Sequence, residues 1–102
     1  MAGLTDYHKT IVFYCRDFLD TVAEMPELRN ENRALDSLIT FMLEDPSADQ
    51  SRLRELESMM DRHYSRLMSI YARRPDSVFI SAAITRAESL RDMCAQAAGP
   101  GI

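Results

Sequence analysis

Two apolar runs with the same heptad-like spacing, set back to back across one proline, constrain this chain more than any other feature. Leu53, Leu56, Met60, His63, Leu67 and Ile70 recur at intervals of 3-4-3-4-3, and Ile80, Ala83, Ala87, Leu90, Cys94 and Ala97 repeat those intervals. That period keeps one stripe of a helix turned towards a neighbour. Pro75 stops the first run, because its ring cannot continue a helix, and Asp76 or Ser77 can cap the second by accepting from a free backbone N–H. A turn this short makes the two segments antiparallel. The spacing therefore predicts a long αα-hairpin, with helices over about 47–73 and 77–98. Alanines on the second stripe let a neighbouring helix approach closely.

Two shorter helices precede the hairpin. Thr5 or Asp6 can cap a helix over about 6–25, whose apolar face is Ile11, Cys15, Phe18, Val22 and Met25, flanked by Val12, Tyr14 and Leu19. Pro26 breaks that pattern. A helix over about 27–44 follows, with Leu28, Leu35, Leu38, Ile39 and Met42 on its face and Phe41 and Leu43 at the margins. The stretch RNEN at 29–32 is a poor helix former, which points to a late start. Asp45 before Pro46, or Ser47 with Gln50 as a capping box, begins the third helix. The expected fold class is all-α: an up-down four-helix arrangement dominated by the hairpin, one domain over 1–102 with frayed tails at 1–4 and 99–102. The third helix, roughly 40 Å long at 1.5 Å per residue, should overhang the first two and leave an amphipathic end in need of a partner. A two-fold homodimer is the simplest way to supply one.

Charge and cysteine usage then narrow the function classes. The net charge of −4 opposes non-specific binding to nucleic acid or an anionic membrane surface. Lys9 is the only lysine against 12 basic residues in all, a bias that fits a GC-rich bacterial coding sequence. The N-terminus lacks a basic stretch followed by an apolar one, and IVFYC is far shorter than the ~20 residues a membrane span needs. Cys15 and Cys94 lie far apart in the chain and do not read as a disulfide framework, although a bridge between the first and fourth helices is geometrically possible. A reducing cytoplasm is the expected compartment.

Motifs for chemistry are sparse. His63 sits inside an apolar stripe, and neither HYSRL nor HKTIV at His8 carries the acidic neighbour of histidine kinases or the lysine-glycine of phosphotransfer domains. A phosphotransfer domain using His63 or His8 is thus the weaker reading, and a packed histidine the stronger. A di-iron bundle needs a glutamate three residues before a histidine, but Met60 and Thr5 stand there. No H-x-x-x-H or C-x-x-C occurs, so neither metal nor cofactor is expected. Glu57 and Asp61, four apart on a helix flank, read as a solvated face. Arg62, Arg66, Arg73 and Arg74 form a local basic patch, either a solvated face balanced by Glu55 or a docking patch for an acidic partner. No enzyme is expected.

What remains is an interaction protein. Phe13 falls on the polar side of its helix with Arg16, Asp17 and Asp20, and Val78 and Met93 miss the stripe of theirs. Six internal methionines suit surfaces that repack around a partner. The expected function is a small non-catalytic regulator, an inhibitor or antiactivator that blocks a larger protein through amphipathic helix faces. A secretion-type chaperone is the alternative within that class. Phe13, Met59, Met60, His63, Tyr64, Leu67 and Tyr71 are the candidate partner or dimer interface.

Overall fold

A computed structural model describes residues 3–99, so the tail positions 1–2 and 100–102 lie outside the described residues. Four helices account for the fold: α1 (Asp6–Val22), α2 (Arg29–Glu44), α3 (Arg52–Arg73) and α4 (Val78–Ala98), with a 3₁₀ turn at Pro26–Leu28 between the first two. Each packs against its neighbours in chain order, and α4 closes the bundle against α1. The α3–α4 hairpin is the most extensive packing, as the shared period predicts, and the bundle measures 47 × 25 × 18 Å.

Local chemistry explains where each helix begins. Thr5 caps α1 by accepting from the His8 N–H, and His8 Nδ1 accepts in return from the Thr5 N–H, with histidine in the place of the usual glutamate or glutamine of a capping box. Ser77 caps α4 through the Ile80 N–H. The start of α3 differs from expectation. Asp45 accepts from the N–H and hydroxyl of Ser47, and Asp49 does the same for Ser51. These successive Asx turns take up 45–51, so α3 starts at Arg52 rather than Ser47. Gln50 forms no capping box; it reaches across to the Ala97 carbonyl. The first helix also stops early, at Val22, whose carbonyl is taken by the Met25 N–H and by the Asn32 side chain.

One continuous core runs the length of the bundle. It takes in the apolar stripe residues named above for α2 and α3, with His63 buried among them, and those of α4 except the half-buried Ala97. Tyr14 departs from the expected apolar face of α1 and lies exposed. At the tip of the hairpin, the buried Leu28 of the 3₁₀ turn and the half-buried Met25 belong to the same core as Ile70 and Ile80. The connection between α1 and α2 thus adds apolar side chains to the core. At the other end Leu4 packs against the core, and the Gly99 carbonyl accepts from Arg54.

Candidate functional site

His63 is the only buried polar side chain among the described residues, with 0% exposure, and the surroundings explain how an imidazole is tolerated there. Burying such a group costs free energy unless its nitrogens find partners. Asn32, in the first turns of α2, provides one. Its Nδ2 donates to the Val22 carbonyl at 3.0 Å, which turns its Oδ1 towards His63 Nε2 at 2.8 Å. An amide oxygen only accepts, so Nε2 carries the hydrogen. The other nitrogen, Nδ1, lies 3.1 Å from the Met59 carbonyl one turn back along α3. Phe18 of α1 meets the ring edge-on, with centroids 5.5 Å apart and planes at 79°. The RNEN stretch, a weak helix former, is therefore where α2 links the end of α1 to the middle of α3.

Electrostatics keep this imidazole neutral. Burial lowers the His63 pKa below its ordinary value, opposed in part by the Met59 carbonyl and the nearby charge of Glu31. A cavity of ≈ 90 Å³ lies beside the ring, lined by Asn30, Glu31, Ala34, Met59 and Arg62. Substrate pockets are larger, at about 300 Å³ and upwards. In the neutral ring Nε2 donates to Asn32, while Nδ1 keeps its lone pair beside the Met59 carbonyl, buried with no exposed surface. His8 spends its Nδ1 on the α1 cap.

The candidate interface residues divide by exposure. Met60, His63 and Leu67 lie inside this chain's own core, Met59, Tyr64 and Tyr71 are half-buried, and Phe13 is 54% exposed. Tyr64 is stacked under the Arg91 guanidinium, 5.0 Å from its centroid. Sequence reasoning missed Tyr7, Tyr14, Met68 and Phe79, all exposed, and Val78, noted as off its stripe, reaches 82%. Tyr7 and Tyr14 sit at the edge of the α1 stripe, where angular position alone does not decide exposure. The four arginines also divide. Arg66 pairs with Glu31 and donates to the Glu27 carbonyl, and Arg74 pairs with the Glu27 carboxylate. Glu55 is engaged by Arg52 instead, so the acids that balance this patch come from the approach to α2. Asp61 and Glu57 are ion-paired with Arg91 and Arg54 on the surface.

Among the described residues no group of three or more His, Cys, Asp and Glu is placed to hold a metal ion, and no helix is long and apolar enough to cross a membrane. The class that fold and site define is an all-α four-helix bundle whose buried polar cluster, among the described residues, centres on His63 and whose exposed aromatics lie mainly on α1. Comparison with family models, curated proteins and solved structures finds no match.

Proposed function

We propose that this chain is a non-catalytic protein–protein interaction module, a cytoplasmic regulator of bacterial type that binds and blocks a larger protein. The observation that carries the reading is a mismatch between inside and outside. The core is complete within one chain, with no unpartnered buried side-chain nitrogen or oxygen among the described residues. Yet Tyr7, Phe13 and Tyr14 on α1, and Val78 and Phe79 at the start of α4, stay exposed. Covering a half-exposed aromatic ring contributes roughly 2 kcal/mol, so a few such rings supply a useful share of a binding free energy. A second copy of this chain is one candidate to cover these side chains, and a different protein is the other.

Two measurements test the proposal. Light scattering reads self-association directly. Affinity capture from the native host is run in parallel with the natural chain and with a Phe13→Asp, Tyr14→Ser variant, whose changes touch only exposed positions. The expected result is self-association or a specific partner, held by the natural chain and lost by the variant. A strict monomer that recovers the same proteins as its variant sinks the idea.

A further inference from the structure

The two broad sides of the bundle use their charges differently. On the side of α2 and α3, Arg66 pairs with Glu31, and Arg74 with Glu27 just ahead of α2. Along the outer groove between α1 and α4 no such pair joins the two helices among the described residues. Two contacts settle which edges border that groove. Arg16 pairs with Asp36 and donates to Thr40, so its edge of α1 faces α2. Tyr7, Tyr14 and Asp17 lie about 100–180° round the helix from Arg16, on the side away from α2. Likewise Arg91 pairs with Asp61 of α3, and Phe79, Ala82, Arg86 and Met93 lie on the opposite edge of α4.

This face is prepared for burial. Tyr7, Tyr14 and Phe79 keep about half their surface in water. Thr10 and Thr21 donate to the Asp6 and Asp17 carbonyls of their own helix, at 3.0 Å each, so their hydroxyls need no new acceptor when covered. Asp17 and Arg86 are the charges at its middle, both exposed and neither ion-paired among the described residues. Their level along the bundle follows from one of its ends. Gly3 abuts the carbonyls of Ala48 and Pro46, and Gln50 donates to the Ala97 carbonyl, so α1 begins where α4 finishes. Asp17 and Arg86 each lie about 13 residues, or roughly 20 Å, from that shared end.

We propose that this face is an interface between two copies of the chain, related by a two-fold axis parallel to the helices. Each α1 then lies over α4 of the other copy, and Asp17 pairs with Arg86 of the partner subunit. Such an axis preserves level along the bundle, which is why two groups equally far from one end can meet. The same operation brings Lys9 close to the level of Asp92 of the partner subunit, a second pair of opposite sign. Size is adequate too. At 17 residues α1 is about 25 Å long, and two helices abreast are about 20 Å wide. That is roughly 500 Å² in projection, the order of what a standard interface takes from each partner. The inference rests on the reading of this chain as an interaction module, and it commits to a second copy as the occupant.

Light scattering at protein concentrations up to about 100 μM reads the dimer and its Kd. Asp17→Arg and Arg86→Asp each set like charges together at both symmetric contacts, and both positions are exposed, so circular dichroism should stay unchanged. Each should weaken the dimer by ~10-fold or more, and the double swap should restore it to within ~3-fold of the natural chain. Arg29→Asp, an equal change of charge on α2, should leave the Kd where it was. A chain that stays monomeric, a dimer indifferent to both swaps, or a double swap no better than the singles overturns the proposal. A monomer that still holds a different protein in the capture experiment overturns this inference alone and leaves the interaction-module reading standing. A monomer that holds none takes both down.

Discussion

Two buried contacts tie α1 to the rest of the bundle, and they work by different physics. On one side Asn32 bridges the Val22 carbonyl and His63, a directional network in which each group fixes the next. On the other side α1 packs against α4, the two helices burying Cys15 and Cys94, small side chains whose packing has little angular demand. The first decides where α1 ends and which turn of α3 it faces. The second only requires that something small be there. A polar group in a core is costly when its partner is lost and an apolar one is not, so the two seams should respond to substitution very differently.

The largest effect should come from His63→Ala. It empties the space of a fully buried ring and strands Asn32 Oδ1, a loss of about 3–4 kcal/mol. For a domain of this size that lowers the unfolding midpoint by roughly 15 °C, measurable by circular dichroism. Asn32→Leu should follow, at about 2–3 kcal/mol, since it leaves the Nε2–H buried without an acceptor. A double variant, Asn32→Leu with His63→Leu, should be no worse than Asn32→Leu alone, because both ends of the bond are then apolar. If the two single losses simply add, the network is not what joins these helices.

That pair of residues also marks the limit of what the sequence shows. The hairpin is written in its period: each large apolar residue from Leu53 to Ile80 that fell on the 3-4 spacing is buried. His63 on that stripe announces the need for a polar partner. It does not say which one, since Asn32 is 31 positions away and reaches it only once α2 has docked. RNEN reads locally as weak helix; its second asparagine is there for a tertiary contact. The delayed start of α3 was closer to hand, because D-x-S occurs twice in succession at 45–51. Exposure of Tyr14 and Phe79 is less legible, since residues at the edge of a stripe are covered or bare according to how neighbouring helices splay.

Acid should separate the two seams without any substitution. The folded pKa of His63 is depressed by burial, so between it and the unfolded value of 6.5 the unfolded chain binds a proton that the folded chain does not. The stability that neutral His63 contributes is fully present above 6.5 and is lost as pH falls towards the folded pKa, with a slope of up to ~1.4 kcal/mol per pH unit. Urea titrations between about pH 7.5 and about pH 5.5 read that slope. Asp45 and Asp49, held below the usual carboxylate range by Ser47 and Ser51, act at lower pH and leave this window clear. Asn32→Asp places a carboxylate against Nε2 and should reverse the sign, giving stability present below 6.5 and lost as pH rises. A wild-type profile flat across the window removes the buried neutral imidazole from this account.

The smallest effect belongs to the thiols under reducing conditions. Cys94→Ala removes one sulfur from a helix that already buries Ala83 and Ala87, so the loss should be about 1 kcal/mol where the neighbours close in. Cys15→Ala should cost a similar amount, and the double variant should be close to the sum, with coupling below ~0.5 kcal/mol. Coupling here as large as that between Asn32 and His63 would mean that the two thiols interact directionally. The contrast between the seams would then be one of degree. Small coupling leaves a sharper conclusion: these cysteines act as space-filling residues, and the directional join between α1 and the rest of the bundle is the one through Asn32.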